Sequence, residues 1–168
     1  MKKIGIFYGS TTGVTEKIAK RIGEALGVPP ENVFNVKETS PSKVGDFDVL
    51  ILGSSTWGSG ELQEDWYDFV DGLQALSLKD KEIAIFGCGD ENMSDSFCNA
   101  VGIIYRRLLQ TGAKFIGDFS TSGYSFEESK AKESSGMAVG LLIDETNHPE
   151  LTRRKISEWC DELNNRIK

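Results

Sequence analysis

One histidine, three cysteines and no long apolar run are what this chain has least of, and each scarcity removes a class of function. With His148 alone and no base beside a nucleophile, hydrolytic chemistry of the Ser–His–Asp kind has no candidate. His148 is expected to sit exposed before the last helix. Cys88, Cys98 and Cys160 are odd in number and lack metal-ligand spacing, which predicts a reduced intracellular protein and no metal site. No stretch approaches the roughly 20 apolar residues that span a bilayer. Only Ile4 to Phe7 separate the opening lysines from the polar Tyr8-Gly9-Ser10, too little for a signal-peptide core, so the expectation is cytoplasmic. Basic residues are outnumbered, 19 against 26 acidic, for a formal charge of -7. That balance argues against nucleic acid or an anionic membrane and favours a partner with a basic surface.

What the chain does have is a hydroxyl-rich turn near its start. Ile4, Ile6 and Phe7 read as a buried strand, and Val14, Ile18, Ala19, Ile22, Ala25 and Leu26 recur at helical spacing. Between them lies Gly9-Ser10-Thr11-Thr12-Gly13-Val14-Thr15. A strand, such a turn and a helix N-terminus make a phosphate cradle, with free backbone N–H groups, a partial positive charge and added hydroxyl donors. The turn lacks both the Gly-Lys-Ser/Thr ending of a nucleoside-triphosphate loop and the Gly-x-Gly-x-x-Gly dinucleotide pattern. It also holds no Lys or Arg, so a phosphate here is neutralised by dipoles and hydroxyls, which suits one terminal phosphomonoester. The same residues would equally form a Ser/Thr cap without a ligand.

The 168 residues suffice for one domain with a full core, taken as residues 1–168. Further strands are predicted at residues 33–36, 47–52, 83–86, 114–119 and 138–143. Helices are predicted from Leu62, Trp66, Phe69, Val70 and Leu73, from Phe97, Val101, Ile104, Tyr105 and Leu108, and from a cap at Thr152 onward. Residues 120–137 are polar and read as an excursion. Alternating strands and helices predict an open parallel sheet with helices on both faces, a three-layer α/β/α sandwich. Ligands in such sheets sit beyond the carboxyl ends of the strands, where three unusual loops converge. The second of these is Gly53-Ser54-Ser55-Thr56-Trp57-Gly58-Ser59-Gly60, and the third is Gly87-Cys88-Gly89-Asp90-Glu91-Asn92-Met93.

Trp57 offers a flat face for a planar heterocycle, or is an ordinary core or surface aromatic. Gly87, Gly89 and Asp90 offer polar edges to the same ring. A phosphomonoester at one end and a flat polar ring at the other describe flavin mononucleotide, FMN.

Three motifs, Ser10-x-Thr12-Gly13-x-Thr15, Thr56-Trp57-Gly58-x-Gly60-Glu61-Leu62 and Gly87-Cys88-Gly89-Asp90 with Phe97-Cys98, together make the whole chain resemble a flavodoxin. The polar excursion resembles the long-chain branch, which implies a five-stranded parallel sheet of order 2-1-3-4-5 with the last strand interrupted. The resemblance implies that Ser10, Thr11, Thr12, Gly13, Val14 and Thr15 bind the FMN phosphate, that Thr56 meets the ribityl chain, and that Trp57 covers the inner ring face. The Gly58–Ser59 peptide would flip on reduction and accept a hydrogen bond from flavin N5, favouring a neutral semiquinone. Asp90 would face the pyrimidine end and Cys98 line the pocket, while Ser55, Gly60, Cys88 and Gly89 complete the set. Where relatives stack a tyrosine on the outer face, this chain offers Met93, which either covers the ring loosely or leaves it open.

The function so implied is a low-potential one-electron carrier, monomeric and not an enzyme, serving redox partner proteins with basic docking surfaces. Glu61, Glu64, Asp65, Asp90 and Glu91 are placed to resist a second negative charge on the ring, or are merely a solvated acidic face. One carboxylate ~8 Å away opposes it by about 2 kcal/mol at an effective dielectric near 20, before screening. The alternative is an FMN-dependent quinone or nitro reductase on the same fold, for which no nicotinamide or substrate site is marked. A phosphoacceptor domain of the same topology is disfavoured, since it needs acidic residues where this chain has Tyr8-Gly9-Ser10.

Overall fold

The computed structural model describes residues 1–167. In chain order its elements are β1 (Ile4–Gly9), α1 (Val14–Leu26), β2 (Val33–Asn35), β3 (Val49–Trp57), β4 (Glu61–Leu62), α2 (Trp66–Gln74) and β5 (Glu82–Cys88). They continue with α3 (Asn99–Leu108), β6 (Lys114–Phe115), β7 (Phe119–Ser120), β8 (Lys132–Ser134), β9 (Met137–Ala138), β10 (Leu141–Ile143) and α4 (Pro149–Ile167). Five strands run parallel in the order β2-β1-β3-β5-β10. This is the expected 2-1-3-4-5 order, with β5 as the fourth strand.

Strand side chains alternate between two cores because successive residues point to opposite faces. Phe7, Leu50, Leu52, Ile83 and Ile85 face α2 and α3, packing with Trp66, Phe69, Leu73, Val101, Ile104 and Leu108. Ile6, Tyr8, Val49, Ile51, Ala84 and Phe86 face α1 and α4, packing with Ile18, Ile22, Ile156, Trp159 and Leu163. Burial on both faces is why β3 and β5 read as continuous apolar runs.

The far edge of the sheet is an interrupted strand. β6 pairs with the start of β5 (Glu82↔Lys114), and β10 pairs with its end (Ile143↔Cys88). Two predicted strands are therefore split. Residues 114–119 leave the sheet at Gly117, which is left-handed (φ 85°) and whose carbonyl accepts the Trp159 indole N–H at 2.8 Å. Phe119 then pairs with Ala138 in a small separate sheet of order β7-β9-β8, so residues 138–143 are not one strand either. The excursion is thus partly ordered as antiparallel structure rather than being a plain loop. The last helix also starts earlier than predicted, at Pro149, a residue whose fixed φ and missing N–H suit the first helical position. Thr152 is buried inside that helix, and its hydroxyl donates back to the His148 carbonyl at 3.5 Å instead of capping.

Register brings the three loops level. Gly9 pairs with Ser54, Ser54 with Gly87 and Ser55 with Cys88, so all three leave the sheet at its carboxyl edge.

Candidate cofactor site

The first loop leaves the α1 N-terminus open. Gly13 stands at its N-cap with φ 93° and no side chain caps the helix. The Ser10 hydroxyl instead accepts from Gly13 N–H at 3.1 Å, shaping the turn. A side chain at position 13 would be strained by that φ, although the space above it is open. Thr11 and Thr12 are exposed, Val14 is half-buried, and Thr15 is buried. Thr15 Oγ1 is the one buried side-chain oxygen without a hydrogen-bond partner among the described residues. It lies near the Cys88 thiol, which burial pushes up to about 12, without closing a hydrogen bond to it. Free N–H groups, an orphaned hydroxyl and no cation fit a small dianion held by dipoles.

The second loop is a hairpin. Thr56 pairs with Leu62 and Trp57 with Glu61, and Gly60 N–H closes the turn on the Trp57 carbonyl at 3.1 Å. Gly58 and Gly60 both have positive φ, 54° and 101°, while Gly58 and Ser59 are exposed. The Ser55 hydroxyl accepts the Trp57 indole N–H at 2.7 Å, and the Thr56 hydroxyl accepts Ala100 N–H at 3.1 Å, tying the loop to α3. Trp57 itself remains 40% exposed, a large aromatic outside either core. Beside it a hollow of about 260 Å³ is lined by Thr11, Glu61, Leu62, Glu64 and Tyr67.

Gln63 joins these two loops, and sequence reasoning missed it. Fully buried, it takes its backbone N–H to the Ser54 hydroxyl at 3.2 Å and its amide to Thr11 Oγ1 at 3.1 Å. Its Oε1 accepts Asp65 N–H at 3.0 Å. A lone uncharged residue between a hairpin and a helix has no periodic signature. The only hint was a polar residue next to Leu62 where the apolar pattern begins.

The third loop is braced rather than open. Asp90 Oδ1 accepts both Asn92 N–H, at 2.8 Å, and the Asn147 amide, at 2.7 Å. Glu91 N–H donates to the buried Asp144 at 2.9 Å, and Glu91 Oε2 accepts Ser125 N–H at 2.8 Å. His148 is not simply exposed, as first expected. Its Nε2 lies 2.7 Å from Glu91 Oε1 and its Nδ1 3.2 Å from Glu150 Oε1. The Glu91 bond raises the histidine above its ordinary range, while the Ser125 N–H and then His148 hold Glu91 below the usual carboxylate range. Gly89 is half-buried, and Met93 is half exposed and is not among the residues lining the hollow beside Trp57. Cys98 is fully buried with φ 48°, its sulfur 3.8 Å from the Gly87 and Ile143 carbonyls. Its thiol, raised by burial, faces the core, so any role toward a ligand falls to its backbone.

Residues 6–159 match the family model described as Flavodoxin. The flavodoxin of Haemophilus influenzae is 41% identical over 97% of this chain and 94% of its own length. That of Buchnera aphidicola (subspecies Acyrthosiphon pisum) is 43% identical over 97% of this chain and 96% of its own. Among solved structures, a Fusobacterium nucleatum flavodoxin bound to flavin mononucleotide superposes with a TM-score of 0.90 at 32% identity, covering 100% of both chains.

Proposed function

This chain belongs to the flavodoxin family, and we propose that it holds FMN non-covalently and carries single electrons at low potential between redox partner proteins, with no enzymatic reaction of its own. Bound FMN supplies the redox chemistry, accepting one electron and then another, while the protein supplies binding, orientation and electrostatics. One observation carries the reading: an uncapped helix N-terminus with the orphaned Thr15 hydroxyl stands on the same sheet edge as the exposed Trp57.

In this reading the N–H groups of residues 14 and 15 and the hydroxyls of Ser10, Thr11, Thr12 and Thr15 bind the phosphate, while Gly13 N–H holds Ser10 in the turn. Ser55 and Thr56 lie along the ribityl chain, and Trp57 covers one ring face. The exposed Gly58–Ser59 peptide would offer its carbonyl to a proton at flavin N5, and glycine at the first position would ease the rotation this needs. The backbone of residues 88–90 and 98 meets the pyrimidine end, and Met93 remains outside the pocket or covers it loosely. Asp65 is occupied by Gln63, Asp90 by Asn147 and Glu91 by His148. Glu61 and Glu64 line the hollow beside Trp57, and Asp65 and Asp90 keep their charge because their amide partners are neutral, so these four carboxylates oppose negative charge on the ring and steer basic partners. The chain acts as one FMN-binding domain, monomeric and cytoplasmic.

The test is a visible spectrum of the purified protein during stepwise reduction. A yellow protein that passes through a blue one-electron form is expected. A colourless protein that refuses added FMN would overturn the reading, and steady NADPH oxidation by the isolated protein would replace it with a reductase.

A further inference from the structure

Three segments distant in sequence meet around His148 and Glu91. The third loop contributes Glu91, α4 contributes Glu150 together with His148 just before its first turn, and the excursion contributes Ser125 and Tyr124. Tyr124 packs against the His148 ring with centroids 5.7 Å apart, and its hydroxyl accepts Asp144 N–H at 3.3 Å. Asp144 in turn accepts Glu91 N–H and both the backbone and side-chain N–H groups of Asn147. The groups around the imidazole are therefore acidic: Glu91 and Glu150 on its two nitrogens, Asp144 bonded to Glu91 N–H, and Asp90 reached through Asn147. Lys155, over the Tyr124 ring at 4.7 Å, is the cation contacting this set.

Chemistry selects the protonation state. A neutral imidazole donates from one nitrogen only, so one of the two carboxylates would face a lone pair. The imidazolium satisfies both. Its side chain is 26% exposed and that of Glu91 17%, so the pair is partly shielded from solvent.

We propose that His148, as the imidazolium, is a positioning residue for the third loop, pinning Glu91 between α4 and the excursion so that FMN affinity is linked to one proton on His148. This rests on the FMN reading above. A histidine raised in the folded state contributes fully below its ordinary range, and that contribution is lost as pH climbs through the raised native value. In this proposal bound FMN orders the third loop and tightens the Glu91 pair, so His148 holds its proton more firmly with FMN bound than without it, and FMN is held more tightly on the acid side of this step.

His148 is the only histidine, so its ring protons are unambiguous in a proton NMR titration. The expected midpoint lies above the ordinary histidine value and falls toward it in Glu91→Gln. FMN dissociation constants are then measured from pH 6 to 9 for the parent and for His148→Gln. Titration of the FMN phosphate is common to both. The parent should show an additional weakening of roughly threefold, the scale of a partly exposed ion pair, and the variant should lack it. Parallel profiles, or a His148 midpoint at or below the ordinary value, overturn the proposal while leaving FMN binding intact. Failure of both proteins to bind FMN at any pH overturns the FMN reading instead, and this proposal with it.

Discussion

Removing the hydroxyl of Thr15 while keeping its shape separates cofactor binding from folding. In the structure that oxygen is buried and unpartnered, a state that costs roughly 1–3 kcal/mol. Thr15→Val should therefore leave the cofactor-free protein at least as stable in urea unfolding, by about 1 kcal/mol. The same variant should bind FMN about tenfold more weakly in a fluorescence-quenching titration, the loss expected for one hydrogen bond to a charged group. Parallel losses in both measurements would make Thr15 a packing residue. Single residues are where sequence reading was least uniform. Hydroxyls and glycines of the first two loops were legible because strand, turn and helix flank them in order. Gln63 and the His148–Glu91 pair were not, because each depends on contacts across 52 and 57 positions that no local pattern encodes.

At the scale of elements, the central strands and the amphipathic helices were legible from periods of two and about 3.6. The edge was not. Residues 114–119 look like one strand by alternation, yet Gly117 turns the chain out, and the indole of Trp159 on α4 secures that turn. The excursion that follows is bound to α4 through Lys155, which is only 2% exposed. Its ammonium donates to the Ser120 carbonyl at 3.3 Å and lies 5.7 Å from the Phe119 ring centroid. Burial pushes this lysine below its ordinary 10.5, so the unfolded chain holds the proton more firmly and stability rises with pH toward that value. Lys155→Met keeps length and removes the charge. The variant should match or exceed the parent in urea unfolding at pH 7, with the difference shrinking as pH nears 10. A destabilised variant with an unchanged pH slope would show that the cation–π contacts outweigh desolvation.

For the whole molecule, the acidic balance and the parallel α/β architecture were both evident in the sequence, and they act together. A net charge of -7 keeps copies of the chain apart at low salt, but that repulsion fades within a Debye length of about 8 Å at physiological ionic strength. Geometry then has to do what charge cannot. A sheet ends in unpaired backbone donors and acceptors, and a long straight margin would recruit a strand from a neighbouring molecule. Here one margin is β2, three residues long, and the other is divided between β6, of two residues, and β10, of three. The excursion that splits the last strand thereby breaks the margin into pieces too short to template an intermolecular ladder. Sedimentation velocity at high protein and high salt concentration should accordingly show one species of monomer mass. Deleting residues 120–137, which leaves only 116–119 and 138–140 between β6 and β10, should produce self-association where the parent shows none.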